Sequence, residues 1–358
     1  MRLLVVTNDY PPKPGGIQQW LGNVVDNFAG DVRVLAPADG PATNARGEAI
    51  VRRGSRRFMW PTRSVAEWVR LEILDFEPDA LLFGAPHPLP SMIPKLREGF
   101  AGPIAVMTHG AEVTLPAAFP IARQWMRRTL RRADVLLAVS RYTANKVGRL
   151  TGHEVTPVGA GVDVTAFTPG QRPAAPVIGC VSRFVPRKGQ DRLIEVAGQL
   201  RQTGIPVELI LVGKGRHEAR LRRLAAARAV PTRFEVDVPW ERLPELYREM
   251  AIFAMPAQSR WAGLEVEGLG IVYLEAAAAG MPVVAGDSGG APEAVIPGVT
   301  GFVTHDDNSL EMALRTLLDD PDSASKMGTA GRLWVENNHT WPKVAERIEE
   351  AIQAVLGT

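Results

Sequence analysis

Cysteine is almost missing from this sequence: its 358 residues include one, Cys180. A lone thiol excludes an internal disulfide and a cysteine-rich zinc site. It falls in the apolar run Val177–Val181, which reads as a buried, inert position rather than a nucleophile. An excess of one charge is missing too. The 41 Lys and Arg nearly cancel the 39 Asp and Glu, so the overall charge gives no footprint for nucleic acid. No apolar run is long enough to span a bilayer, and no signal-peptide pattern precedes the first strand. No His/Asp cluster has metal-ligand spacing, so no metal site is expected. The loop after the first strand lacks a G-x-G-x-x-G pattern, which disfavours NAD. These absences lead to the expectation of a cytoplasmic protein that meets a membrane, if at all, from its surface.

What is present is alternation. Short apolar runs alternate with amphipathic helical stretches, the pattern of a parallel sheet covered on both faces. The first half predicts strands at Leu3–Thr7, Val32–Ala36, Ala80–Phe83, Ile104–Thr108 and Val135–Val139. The second predicts them at Val177–Ser182, Glu208–Val212, Thr232–Val236, Ile252–Met255 and Val283–Ala285. The fold class is therefore α/β, with two Rossmann-like doubly wound domains. Their boundaries are 1–160 and 177–340, joined by a Gly- and Pro-rich linker at 161–176. Helices are predicted at Ile271–Ala279 and Trp341–Leu356, among others.

The densest chemistry lies in the stretch from Ser259 to Gly286. Glu267 precedes a helix and Glu275 lies within it. Gly268, Leu269, Gly270 and Ile271 offer backbone N–H groups at the positive end of that helix. Carboxylates on either side can accept hydrogen bonds from sugar hydroxyls. The physical reading is a site for phosphates and hydroxyls together, as in a nucleotide sugar; the plain alternative is a loop followed by an Ala-rich core helix.

Other loops fit the same chemistry. Gly15 and Gly16 lead straight into a helix, with Asn8, Asp9 and Tyr10 just before them. His109 and Gly110 end a strand, a functional position in a doubly wound sheet. Arg183 and Lys188 lie in one loop after a strand and are expected to project together. Arg offers a two-pronged grip on a diphosphate and Lys a point charge. Gly213 opens the next loop at the carboxyl edge.

Two basic stretches carry large apolar residues. One holds Arg56, Arg57 and Trp60. The other is a predicted helix holding Ile121, Trp125, Arg127, Arg128 and Leu130, with the apolar three expected on one side. Such amphipathicity suits an anionic membrane surface; a surface helix with its apolar side in the core is the other reading.

Glu267 and Glu275 form an E-x7-E pattern, and with Gly15, Gly16, His109, Gly110, Arg183 and Lys188 they resemble the retaining family 4 glycosyltransferases. The run from Arg260 to Ala276 is similar to actinobacterial GDP-mannose-dependent phosphatidylinositol mannosyltransferases. The resemblance implies the GT-B architecture, in which two domains face each other across a cleft and the last helix, about 341–358, packs on the first. It implies an N-terminal acceptor domain and a C-terminal nucleotide-sugar domain. It implies a GDP-mannose donor, no covalent cofactor, and a glycolipid acceptor at the inner face of the cytoplasmic membrane.

It also implies residue roles. Gly15 and Gly16 would meet the donor diphosphate with Arg183 and Lys188. His109 would contact the transferred sugar. Glu267 would hold a sugar hydroxyl, the Gly268–Ile271 backbone the sugar and phosphate, and Glu275 the ribose. Gly213 and Val238 would line the nucleotide site, and Asp9, Tyr10 and His109 the acceptor site. Many relatives read His-Gly-His-Glu where this chain has His109, Gly110, Ala111 and Glu112. The same chemistry on a glucuronosyl diacylglycerol or oligosaccharide acceptor, or with another nucleotide sugar, stays open. An epimerase, or a non-catalytic membrane-binding module, fits less well.

Overall fold

The computed structural model describes residues 1–171, 173 and 176–356. Arg172, Ala174 and Ala175 of the predicted linker, Gly357 and Thr358 at the end, and the Ala111 and Leu115 side chains lie outside the described residues. The chain divides into two compact units: Met1–Gly161 together with the chain from Trp341 onward, and Val162–Thr340.

The first unit is built on seven strands: β1 (Leu3–Val6), β2 (Val32–Ala36), β3 (Val51–Arg53), β4 (Ala80–Phe83), β5 (Ile104–Thr108), β6 (Val135–Ala138) and β7 (Thr156–Pro157). They pair in the order β3-β2-β1-β4-β5-β6-β7, and every pairing is parallel. β1, β4, β5 and β6 are buried at every position, as strands covered on both faces must be. The covering helices are α1 (Gly16–Asp26), α2 (Arg63–Phe76), α3 (Ile93–Leu96), α4 (Ala111–Ala117), α5 (Pro120–Leu130) and α6 (Arg141–Thr151).

The second unit has six strands: β8 (Val177–Val181), β9 (Glu208–Val212), β10 (Thr232–Glu235), β11 (Ile252–Met255), β12 (Val283–Gly286) and β13 (Gly301–Thr304). Their order is β10-β9-β8-β11-β12-β13, again parallel throughout. Its helices are α7 (Gln190–Gln202), α8 (Glu218–Ala227), α9 (Leu243–Arg248), α10 (Ile271–Ala278), α11 (Asp307–Asp319) and α12 (Pro321–Asn338).

The last helix, α13 (Trp341–Leu356), belongs to the first unit. Trp341, Val344, Ala345, Ile348 and Ile352 form its buried stripe, recurring at the three-and-four spacing of one helix face. Arg347 donates to the carbonyl of Val158 at 3.2 Å, and the amino terminus pairs with Glu349 at 3.7 Å.

The stretch read as a linker is packed in its first part. Phe167 is buried and meets the Tyr247 ring edge-on at 5.3 Å, while Asp163 accepts from the backbone of Thr165. Strands β3, β7 and β13 escaped the sequence reading. The first two have only three and two residues, and β13 begins on a glycine, so none shows a run of apolar residues.

Candidate functional site

In each sheet the strand order reverses once: between β1 and β4 in the first unit, and between β8 and β11 in the second. A doubly wound sheet binds its ligands outside the carboxyl ends of the strands at such a point. The loops leaving these four strands carry most of the residues singled out in the sequence.

In the second unit, Lys188 comes from the loop after β8 and Glu267 from the loop after β11. Lys188 Nζ donates to Glu267 Oε2 at 2.7 Å, and Arg187 Nη1 donates to the same oxygen at 2.5 Å. All three side chains are nearly buried. Burial alone would raise the Glu267 carboxyl; Lys188 and then Arg187 outweigh it and hold it below the ordinary carboxylate range. Burial likewise lowers Lys188, opposed by Glu267.

This arrangement corrects the expectation that Arg183 and Lys188 project together. Arg183 is exposed, whereas Lys188 lies beneath its loop. A buried carboxylate needs a buried cation, and the sequence does not reveal that Glu267 is buried. Arg187 was missed for the same reason, although its place beside Lys188 marks it as a candidate.

Gly270 is the N-cap of α10 and adopts φ +86, a left-handed conformation suited to glycine. The N–H groups of Gly268, Leu269, Gly270 and Ile271 make no hydrogen bond among the described residues. Glu275, one turn into α10, accepts a hydrogen bond from the Tyr247 hydroxyl at 2.7 Å. Burial pushes its carboxyl up to about 7, with the Tyr247 bond opposing the rise. No sequence signal pairs Tyr247 with Glu275, because they meet from different helices.

A pocket of about 360 Å³ opens at the carboxyl ends of β8, β9 and β10. Val181, Ser182, Gly213, Lys214, Asp237 and Val238 are among its lining residues, so both Gly213 and Val238 face it. A side chain at Gly213 would collide with the Ser182 carbonyl, its Cβ 2.1 Å away.

The first unit repeats the arrangement. Gly15 and Gly16 begin α1, and the N–H groups of Gly15, Gly16, Ile17 and Gln18 make no hydrogen bond among the described residues. Asp9 accepts from Gln18 Nε2 at 2.7 Å. Tyr10, expected beside Asp9 on the site's edge, is instead buried, with Arg53 over its ring at 5.8 Å. Burial raises its phenol above the ordinary value.

His109 follows β5. Its Nε2 lies 3.1 Å from the Gly84 carbonyl, so that nitrogen carries the hydrogen and Nδ1 is left as acceptor. The Trp20 ring meets it edge-on at 5.1 Å. Burial lowers its pKa and keeps it neutral. Glu112 accepts from the backbone N–H of His109 and, at 2.9 Å, from that of Gly110, which fixes the turn. Cys180 is buried and its thiol is pushed up to about 11 by that burial, as an inert position requires.

Of the surface residues singled out, Arg56, Arg57, Trp60, Trp125, Arg127 and Arg128 are all exposed. The face assignment on α5 needs correction. Ile121 and Trp125 are exposed, whereas Met126, Thr129 and Leu130 are buried. Nine residues at 100° each put Leu130 half a turn from Ile121. The apolar residues therefore split between core and surface.

Two doubly wound parallel sheets, with helix starts and charged loops at their switch points, form the paired Rossmann-like units of the GT-B fold class. The chain matches two family models, Glycosyltransferase Family 4 over residues 14–166 and Glycosyl transferases group 1 over residues 166–334. It is similar in fold to the Anabaena HepE protein solved with UDP, with a TM-score of 0.81 at 19% identity, covering 99% of this chain and all of that one.

Curated relatives are more specific. The chain is 38% identical to the GDP-mannose-dependent monoacylated alpha-(1-6)-phosphatidylinositol monomannoside mannosyltransferase of Corynebacterium glutamicum, over 99% of this chain and 98% of that one. It is also 38% identical to the corresponding GDP-mannose-dependent alpha-(1-6)-phosphatidylinositol monomannoside mannosyltransferase of Mycolicibacterium smegmatis, over 98% of each. This chain belongs to glycosyltransferase family 4, alongside these actinobacterial mannosyltransferases.

Proposed function

We propose that this enzyme transfers mannose from GDP-mannose to a phosphatidylinositol monomannoside. The observation that carries the reading is near-full-length similarity to enzymes of that activity, joined to a switch point in the second unit lined with the groups such a donor needs.

In this reading the second unit binds the donor and the first the acceptor. Gly213 and Val238 border the nucleoside. Ionised Glu275 accepts from the ribose hydroxyls, and Glu267 Oε1 from a mannosyl hydroxyl. The N–H groups of Gly268–Ile271, with Arg183 and Lys188, take the diphosphate; Lys188 and Arg187 also hold Glu267 in place.

The sugar C1–O bond to the diphosphate breaks, and GDP departs with the electron pair. The acceptor hydroxyl attacks C1 on the same face, and its proton passes to an oxygen of the leaving phosphate. Negative charge developing there is stabilised by the cations and amides. In the first unit, Asp9 and the His109 imidazole orient the acceptor. Arg56, Arg57, Trp60, Trp125, Arg127 and Arg128 hold the enzyme peripherally on an anionic leaflet at the cytoplasmic side.

Vesicles containing phosphatidylinositol monomannoside and labelled GDP-mannose test this directly. Label moving into the lipid with retained α configuration supports it. Label moving instead only to a glucuronosyl diacylglycerol or an oligosaccharide, or from UDP-glucose but not GDP-mannose, overturns it.

A further inference from the structure

A pocket of about 280 Å³ opens in the first unit, between the loop after β3 and the first turns of α2. Phe58, Met59, Trp60, Val65 and Trp68 supply its apolar wall. Most of its polar side chains are already engaged. The Thr62 hydroxyl lies 3.0 Å from that of Ser64 and accepts from the Val65 N–H, and the Trp68 indole donates to Glu72 at 3.1 Å. Arg53 donates to the carbonyls of Pro41 and Pro11 at 2.8 and 2.9 Å. The interior therefore offers apolar surface and few free polar groups, which suits hydrocarbon and not a hydroxylated sugar.

The rim has another character. Phe58 and Trp60 are exposed, with their rings 4.9 Å apart, and Arg56 stands in the same lining. Arg57 pairs with Asp39 at 3.6 Å, whereas Arg52, Arg56 and Arg63 pair with no carboxylate among the described residues. No carboxylate lines the pocket among those residues either. An apolar hollow beneath an aromatic, cationic rim matches a hydrocarbon chain that hangs from an anionic headgroup.

The pocket is also clasped to the loop that carries Asp9. Asn8 Nδ2 donates to the Met59 carbonyl at 3.0 Å, and Asn8 Oδ1 accepts from the Met59 N–H at 2.7 Å. Lys13 Nζ joins the same two segments, donating to the carbonyls of Asn8 at 3.3 Å and Arg57 at 3.2 Å. The wall residue Met59 is thus fixed against the chain neighbour of Asp9. A headgroup oriented by Asp9 leaves its own chain beside this pocket, whereas a bulk lipid has no such tether.

We propose that this pocket takes one acyl chain of the lipid acceptor. That the lipid is the acceptor rests on the sugar-transfer reading; that the pocket takes a chain does not.

The test titrates the whole enzyme calorimetrically with monomeric lysophosphatidylinositols carrying six-, eight- and ten-carbon chains, beside the matching lysophosphatidylcholines. Wild type should bind the inositol lipids about fourfold more tightly per added methylene. Val65→Trp, which fills the pocket, should flatten that dependence and leave GDP affinity in the second unit unchanged. Chains brominated at their ends should also quench the fluorescence of wild type more than that of Trp60→Phe. Wild-type binding indifferent to chain length overturns the pocket, as does undiminished dependence in a Val65→Trp enzyme that binds GDP normally, or equal quenching in wild type and Trp60→Phe. Equal affinities for choline and inositol lipids of the same chain would assign the pocket to bulk lipid and overturn the assignment to the acceptor. Chain-dependent binding of the inositol lipids by an enzyme that transfers no mannose to phosphatidylinositol monomannoside would uphold the pocket and defeat the proposed reaction.

Discussion

Lys188 Nζ and Glu267 Oε2 lie 2.7 Å apart, joining the loops that leave β8 and β11 where the second sheet reverses its strand order. The pair is nearly buried and shares its carboxylate with Arg187. It braces the two loops and keeps Glu267 ionised. Consequences for stability and for donor binding follow from the same contact.

Removing Lys188 leaves the buried carboxylate paired with Arg187 alone. Lys188→Met should therefore cost less in urea unfolding than the roughly 3–5 kcal/mol of a wholly unpaired buried charge, and the double variant Lys188→Met/Arg187→Met should reach that range. Adding Glu267→Gln to the double variant should restore part of the loss, because the uncompensated carboxylate is then gone. Additive losses in that cycle would show that the carboxylate and the two cations do not couple. The folded-state pKa of Glu267 is depressed, so its contribution is present above the ordinary carboxylate pKa of 4.5. It is lost as pH falls through the lower folded value.

Glu275 gives the opposite sign. Its folded pKa is raised from 4.5 to about 7, so the stability it contributes is complete below 4.5. That contribution disappears as pH rises through about 7. Donor binding should run the other way, because only the ionised carboxylate accepts from both ribose hydroxyls. Calorimetric titration with GDP should show tighter binding as pH rises from 6 to 8. Tyr247→Phe removes a hydrogen bond that favours the charged form, so it should move the midpoint upward. An unchanged midpoint would contradict the pairing.

How far could this have been read from sequence alone? The alternation of apolar runs marked both doubly wound sheets, and glycine or charge after a strand marked the loops at their switch points. Pairings that depend on depth were illegible. Arg187 rather than Arg183 reaches Glu267, and Tyr247 reaches Glu275 from another helix. Tyr10 turned inward beneath Arg53, although its neighbours in the chain suggested an exposed rim. On α5 the apolar residues divide between core and surface, because 3.6 residues per turn sets Leu130 opposite Ile121.

His109 is neutral and carries its hydrogen on Nε2, toward Gly84. Nitrogen-15 NMR at pH 7 should report that tautomer. His109→Ala removes the imidazole that orients the acceptor and should lower turnover by about 100-fold, on the order of 3 kcal/mol in barrier. It should leave GDP binding in the second unit unchanged. Weakened GDP binding would place His109 in the nucleotide site instead.

The exposed arginines make a separate claim. Reversing Arg56, Arg57, Arg127 and Arg128 to Glu should release the enzyme from phosphatidylinositol-containing vesicles, since each basic residue near such a surface is worth about 1 kcal/mol. Cosedimentation should be weakened in wild type by high salt. Vesicle binding that is indifferent to both salt and these substitutions would remove this surface from the account.

The most direct test of the central claim is GDP-mannose affinity in wild type and in Lys188→Met, each shown to be folded by circular dichroism. The account predicts binding at least 100-fold weaker in the variant, since both the phosphate contact and the hold on Glu267 are lost. Affinities within twofold of each other would contradict it.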